Sequence, residues 1–354
     1  MTSLATIYDV ALLDLDGTVY LGGTVIDHVP EVLTAAKAAG MATIFVTNNA
    51  SRPPAEVAEA LGQMGIQAKP ADVLTSPQVA ADMLSKAHPK GSRVLVVGAP
   101  YLHDAVAAVG LSPVRLATDK PVAVVQGHSP DTGWQQLAEA CIALRTGADW
   151  VACNTDVTLP TDRGLLPGNG AMVAALVTAT GLQPRVAGKP ARPLLDTAIA
   201  RSGAKRPLVV GDRLDTDIEA AAAARLPSLM PLTGVNTAVD LLAAPAHRRP
   251  NYVCLDLRGL ADPDLVVALP DPDGRTHNAA EAAGAQPEWI VTRDGAVLTL
   301  TTDDRSLATN DDGVTLRALA ALLVAAWEQS DSPRVIADGK AATAVLARLG
   351  IPQE

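Results

Sequence analysis

Three observations predict an α/β protein with a doubly wound parallel-sheet core, a second α/β domain inserted into it, and a small C-terminal α+β extension. Strand-like and helix-like runs alternate from the N-terminus. The pattern is interrupted by a block with its own strands and helices and then resumes. After about residue 257 the texture changes. Strand–helix–strand–helix order builds a parallel sheet with right-handed crossovers, and a resumed pattern makes the intervening block an insertion. The expected parts are residues 1–80 and 182–257 for the core, 81–181 for the inserted domain, and 258–354 for a linker and extension.

The elements follow in order. Residues 8–15 read as a buried strand entering a turn at Asp16-Gly17-Thr18, and 32–39 as a helix with Pro30 near its first turn and Gly40 as its stop. Residues 41–46 are a second strand ending in Thr47-Asn48-Asn49, and 54–64 a helix ended by Gly65. In the second block, which begins near Ser76, residues 94–98 and 122–125 are strand-like, each followed by a helical pattern. Residues 150–153 are a third candidate strand, and helix 171–180 stops at Gly181. The first pattern resumes with a helix at 193–202, a strand at 207–210, a helix at 218–225 and a short strand at 228–230. Residues 261–285 are rich in Asp, Pro, Ala and Gly without clear periodicity and read as a linker. A hairpin follows, with strands at 289–292 and 296–301 around Arg293-Asp294-Gly295. Helices at 316–327 and 341–349 flank a short strand at 334–336.

Composition narrows the partners. Apolar residues make up 48% of the chain and aromatics only 3%, so Ala, Val and Leu supply most of the packing. With 38 acidic against 28 basic residues, a general nucleic-acid or anionic-membrane surface is not expected. Three dispersed cysteines without a C-x-x-C pair suit free thiols in a reducing compartment. No apolar span approaches the ~20 residues of a membrane helix. The N-terminus lacks a basic segment, and its apolar stretch is cut by Asp14 and Asp16. A cytoplasmic location is expected.

Four groups of residues carry chemistry. Asp14 and Asp16 lie two apart at the end of the first strand, where residues i and i+2 share a face and open α/β sheets place their ligands. Two carboxylates so close cannot both ionise cheaply without a cation, and Mg²⁺ is the natural one. The Thr47-Asn48-Asn49 turn offers a hydroxyl and backbone N–H groups to phosphoryl oxygens. It also suits an ordinary turn in which Asn49 or Ser51 caps the next helix. Gly188-Lys189-Pro190 sets a lysine in a rigid loop, although most lysines are merely solvated. Gly211-Asp212 with Thr216-Asp217 places acids directly after a buried strand. Each group has a bland alternative; the ordered set, each member at a strand end, does not.

That set resembles the haloacid dehalogenase superfamily of aspartate-nucleophile phosphatases over residues 8–257, most specifically in Val46-Thr47-Asn48-Asn49-Ala50-Ser51-Arg52 and Gly211-Asp212-Arg213-Leu214-Asp215-Thr216-Asp217-Ile218. The inserted block resembles the large α/β (C2-type) cap of the nitrophenylphosphatase-like branch, in Asn154-Thr155-Asp156 through Leu165-Leu166-Pro167-Gly168-Asn169-Gly170. Thr155 stands where a proline is often seen. The resemblance implies a Rossmann-like core and an aspartyl-phosphate mechanism. In it Asp14 attacks phosphorus, and Asp16 protonates the leaving alkoxide and then activates water. It implies Mg²⁺ on the Asp14 carboxylate, the Asp16 carbonyl and Asp212, with Asp217 orienting a metal-bound water or Lys189. Thr47, Asn48, Asn49 and Lys189 are implied as phosphate-binding.

The branch includes phosphatases for glycerol 3-phosphate, phosphoglycolate, pyridoxal phosphate and nucleotide monophosphates. A small phosphorylated metabolite is therefore the expected substrate, glycerol 3-phosphate first and phosphoglycolate next. His128, Asn154, Asp156 and Arg163 are candidate cap contacts, each equally readable as a surface or turn residue. Pairing of two subunits through the cap is expected from the same resemblance.

Competing readings fare worse. The first strand end lacks the glycines of a dinucleotide fingerprint. A non-catalytic phosphometabolite-binding module predicts loss of Asp14, Asp16 or Lys189, and all are present. A dehalogenase does not need Asp16, and a phosphomutase usually carries a smaller, differently inserted cap. The C-terminal segment reads as a regulatory or interaction module or as packing that shields the core, with half of an acyltransferase-like fold as an alternative. Its ~70 residues lack a glycine-rich pyrophosphate loop, which favours a non-catalytic role.

Overall fold

The computed structural model describes residues 2–161, 163–271, 275, 288–304, 306–329 and 332–353. It divides into two compact units, one of Met1–Thr43 with Gly203–Glu354 and one of Ile44–Ser202.

In the first unit the strand Val10–Leu13 is buried at every position and pairs in parallel with Pro207–Val210. Pro207–Val210 pairs in turn with Ser228–Pro231, and that strand with Tyr252–Cys254, both in parallel. Short, fully buried and mostly apolar strands of this kind suit a parallel sheet covered on both faces. Helix Val29–Ala38 buries Val29, Val32, Leu33 and Ala36, a single face at helical spacing, and carries a proline in its first turn.

The C-terminal part forms the expected hairpin, Ile290–Asp294 with Val297–Thr301, and adds Arg334–Ala337 in parallel to the latter. Helices Asp312–Trp327 and Lys340–Arg348 complete it. Asp311 caps the first of these, its side chain accepting the Val314 N–H at 2.9 Å.

The linker reading of residues 261–285 needs correction where the chain is described. Pro263–Leu265 is a 3₁₀ turn, and Val267–Ala268 is an antiparallel edge strand on Tyr252–Cys254. Residues 272–274 and 276–285 lie outside the described residues. Nor does the C-terminal part keep a core to itself. Ile218, Met230, Leu241 and Val253 share one apolar cluster with Leu298, Leu319, Leu322 and Leu346. Trp327 Nε1 donates to the Leu241 carbonyl at 3.0 Å, and Asp312 takes ion pairs from both Arg258 and Arg348.

The second unit holds a five-stranded sheet in the order Arg185–Val186, Asp149–Ala152, Ala123–Gln126, Arg93–Val97, Ser112–Val114, parallel throughout. Helices Trp134–Arg145 and Asn169–Thr180 bury Ala140, Ala143, Leu144, Val173 and Leu176 in a cluster with Leu95, Val97, Val124 and Trp150. The same unit contains, from Ile44 onward, the strand Ala42–Thr47, paired in parallel with Val73–Thr75 from Phe45, and the antiparallel hairpin Thr158–Thr161 with Gly164–Pro167. Its range takes in residues on both sides of the expected 81–181 insertion.

Among the described residues no helix is long and apolar enough to cross a membrane. All three cysteines are free, Cys153 and Cys254 buried and Cys141 partly so.

Candidate active site

The Leu13↔Val210 register brings the ends of two adjacent strands side by side, so the residues that follow each strand emerge together. The Asp14 N–H donates to the Val210 carbonyl at 2.8 Å, and Asp212 lies two residues further along that neighbour. Carboxylate oxygens of Asp14, Asp212 and Asp217 all lie within 4.8 Å of one another. Asp14 is half-buried, while Asp212 and Asp217 are buried.

Such a gathering of acids is unfavourable without a cation. Burial first, and then the charge of Asp217, push the Asp212 carboxyl up to about 6. The donors are all oxygen, the kind of set Mg²⁺ prefers. Asp212 is nevertheless held rigidly. Its Oδ1 accepts from Thr18 Oγ1 at 3.1 Å and its Oδ2 from the Val235 N–H at 2.7 Å. Gly17, at φ +89°, leaves room for it, since a Cβ there would stand 2.5 Å from Asp212 Oδ2.

Asp217 follows from a local irregularity. Residues Leu214–Ile218 form a π-helical turn before the α-helix Glu219–Ala224 begins, and the Arg213 N–H donates to Asp217 Oδ2 at 3.2 Å. Single π turns are frequent where side chains must be re-aimed at a functional site. The turn places Asp217 with Asp14 and Asp212 rather than behind them. Asp16 behaves differently. The strand ends at Leu13, so the two-residue alternation does not extend to Asp14 and Asp16. Asp16 is exposed in the turn, bridged by backbone to Tyr20, and its carboxylate stands outside the three-acid cluster.

The second unit gathers another group. Lys189 is 2% exposed, and its ammonium donates to the Val46 carbonyl at 3.1 Å. Asn48 ties that loop in place. Its Oδ1 accepts the Lys189 N–H at 2.8 Å, and its Nδ2 donates to the Lys189 carbonyl at 2.9 Å and to both carboxylate oxygens of Asp156 at 3.2 Å. Asn154 donates to the Asn48 carbonyl at 2.7 Å. Thr47 is buried, its hydroxyl accepting the Asn49 N–H at 3.1 Å. The Asn49 side chain is spent locally, accepting from the Ser51 N–H and hydroxyl.

Asn48, Lys189, Asn154 and Asp156 thus belong to one hydrogen-bonded group, with Thr47 next to it in the chain. His128 follows the strand Ala123–Gln126, half-buried, and burial lowers its imidazole below the ordinary histidine range. Arg163 is exposed in the turn of the Thr158–Thr161 hairpin. Sequence reasoning leaves Thr18 and the turn Thr233-Gly234-Val235-Asn236 unassigned, although the turn follows a buried strand just as the Asp212 turn does.

The chain is similar to known proteins along most of its length. Residues 11–112 match the haloacid dehalogenase-like hydrolase model, and residues 186–260 the HAD-hydrolase-like model. Residues 286–351 match a GCN5-related N-acetyltransferase like domain. The chain is 49% identical over 331 residues to a D-glycerol 3-phosphate phosphatase of Mycobacterium tuberculosis, covering 93% of this chain and 88% of that one. An acid sugar phosphatase of Staphylococcus aureus is 35% identical over 237 residues, 66% of this chain and 90% of its own. A crystal structure of a glycerol phosphate phosphatase from Mycobacterium tuberculosis in complex with magnesium is similar at a TM-score of 0.85 and 46% identity, covering 99% of this chain and 100% of that one.

Proposed function

The chain belongs to the haloacid dehalogenase-like hydrolases, and from that premise we propose that it is a Mg²⁺-dependent phosphatase acting on D-glycerol 3-phosphate through an aspartyl-phosphate on Asp14. The observation that carries the reading is the convergence of Asp14, Asp212 and Asp217 at the C-terminal ends of two adjacent parallel strands.

This all-oxygen set fits Mg²⁺, which the Asp14 carboxylate, the Asp16 carbonyl and Asp212 would hold, with Asp217 near enough to share it. When bound, the ion supplies the positive charge that lets an anionic nucleophile and an anionic phosphoryl group approach. The Asp14 carboxylate attacks phosphorus while the ester O–P bond breaks, and Asp16, exposed to solvent, gives its proton to the leaving alkoxide. Water then hydrolyses the acyl phosphate as Asp16 takes its proton back, which regenerates both acids. Lys189, the Thr47 hydroxyl and the backbone at Asn48 and Asn49 would stabilise the equatorial oxygens, the lysine by its charge and the others as hydrogen-bond donors. Asn154, Asp156, His128 and Arg163 belong to the unit that selects the alcohol.

The decisive measurement is phosphate release from D-glycerol 3-phosphate with and without Mg²⁺, beside phosphoglycolate, pyridoxal phosphate and nucleoside monophosphates. D-glycerol 3-phosphate is expected to give the highest kcat/KM, and a preference for any of the others would overturn the substrate assignment.

The reading extends to a cytoplasmic homodimer paired through residues 81–181. Free thiols support the compartment, and exposed Trp134 and Leu165 support the surface. Sedimentation of the native protein against Leu165→Lys checks the pairing, with a monomeric native protein as the adverse result. Residues 288–353 have a non-catalytic part in this reading. The first turn of helix Asp312–Trp327, where a pyrophosphate would need free N–H groups, is capped by Asp311 and carries Asp312 in ion pairs.

A further inference from the structure

The turn Thr233-Gly234-Val235-Asn236 touches three separate pieces of the acidic site within four consecutive residues. Thr233 Oγ1 donates to the Gly17 carbonyl at 2.7 Å, which fixes the turn that follows Asp14 and Asp16. The Val235 N–H donates to Asp212 Oδ2 at 2.7 Å, and any Cβ on Gly234 would collide with the same carboxylate. Asn236 Oδ1 accepts the Leu214 N–H at 2.8 Å, at the first residue of the π-helical turn that carries Asp217.

The turn is itself anchored at both ends. It leaves the buried strand Ser228–Pro231 and enters helix Ala238–Leu242 through a capping box between Thr237 and Asp240. That helix buries Ala238, Leu241 and Leu242 in the shared apolar core. Its position is therefore set by packing, not by the groups it holds.

We propose that this turn is a strap that presets the geometry of the three acids for Mg²⁺, with Thr233 and Asn236 as its positioning residues. Neither side chain bonds to one of the three carboxylates in the contacts above. Thr233 acts on the backbone before Thr18, and Asn236 on the backbone between Asp212 and Asp217. The inference rests on the metal assignment made above and deepens it. Partners that orient ligands without touching the ion commonly control metal affinity by about 10- to 100-fold.

The test is Mg²⁺ binding to the full-length protein by calorimetry without substrate, so it stands apart from the identity of the phosphoester. Thr233→Val keeps the shape and removes the hydroxyl, and Asn236→Ala removes the acceptor. Each is expected to weaken Mg²⁺ binding by at least about tenfold. Activity should be regained at high Mg²⁺ with the substrate KM unchanged, and Thr233→Ser should bind Mg²⁺ as the native protein does. If both Thr233→Val and Asn236→Ala bind Mg²⁺ with native affinity, the strap is only a structural turn and the proposal fails. It fails equally if Thr233→Ser weakens binding as much as Thr233→Val. If native protein and variants alike do not bind Mg²⁺, the metal assignment fails with it, whereas absent phosphatase activity beside intact binding would discredit the substrate reading alone.

Discussion

Gly17 and Asp212, 195 residues apart in the chain, occupy each other's space: a Cβ on Gly17 would stand 2.5 Å from Asp212 Oδ2. Gly17→Ala therefore meets two obstacles, a left-handed backbone at φ +89° and a displaced carboxylate. The backbone alone costs about 1–2 kcal/mol. The larger effect is expected on the metal, with Mg²⁺ affinity falling at least about tenfold. Calorimetric titration of the folded variant checks this, and native affinity would mean that Asp212 does not need its present position.

Asp14→Asn separates chemistry from folding. An amide cannot form the acyl phosphate, so turnover should drop by at least about 10³-fold. Removing one charge from three crowded acids relieves repulsion, so the metal-free variant should melt no lower than the native protein. Phosphate release and a melting curve together decide it. Native turnover in this variant would refute the nucleophile.

The raised Asp212 carboxyl gives a signed pH dependence. In the folded, metal-free protein it holds its proton up to about 6, whereas the unfolded chain releases it near 3.8. That contribution to stability is fully present below the lower value and is lost as pH rises through the upper one. Mg²⁺ takes the proton's place, so its apparent affinity should weaken about tenfold per pH unit below that upper value. Thermal shifts on adding Mg²⁺ at pH 5 and pH 7.5 measure this. Equal shifts would show that no proton competes with the ion.

Asn48 tests the second unit by itself. Its carboxamide joins both backbone groups of Lys189 to Asp156, so Asn48→Ala frees the loop that carries the lysine. A misplacement of about 1 Å can cost about 10²-fold, and a loss of that size in kcat/KM is expected. Mg²⁺ affinity should not change, because the three acids lie in the other unit. A variant with weakened Mg²⁺ binding and normal kcat/KM would reverse this assignment.

Asp14, Asp212 and Lys189 are legible in the sequence because each follows a recognisable strand or sits in a rigid loop, and local pattern is what a sequence displays. Asp217 is in the expected set too, but how near it stands to Asp212 depends on a π turn that no residue preference announces. The strap is hidden for another reason. Thr233 and Asn236 look like any polar turn, and their partners lie 216 and 22 residues away. Among the strands that escape notice, two do so on length and composition. Val267–Ala268 has only two residues, and Ser112–Val114 contains Pro113, which is tolerated because it stands at the sheet edge. At the C-terminus a change of composition marks the segment, but the apolar core that joins it to the strands before it depends on long-range packing.

That continuity makes a thermal prediction. Trp289 is 5% exposed, donates from Nε1 to the Val314 carbonyl at 3.2 Å, and belongs to the cluster that includes Leu214 and Ile218. Trp289→Ala should cost about 3–5 kcal/mol through the cavity it leaves. Because Leu214 and Ile218 bound the turn carrying Asp217, the loss should spread through the unit. Residues 288–353 should then melt together with the acidic site in one transition at lower temperature. Saturating Mg²⁺ should raise that midpoint, since a ligand of the folded site stabilises whatever unfolds with it. Differential scanning calorimetry with and without Mg²⁺ makes the comparison. A separate early transition insensitive to Mg²⁺ would show that the C-terminal part unfolds alone and that its shared core does not couple it to the metal site.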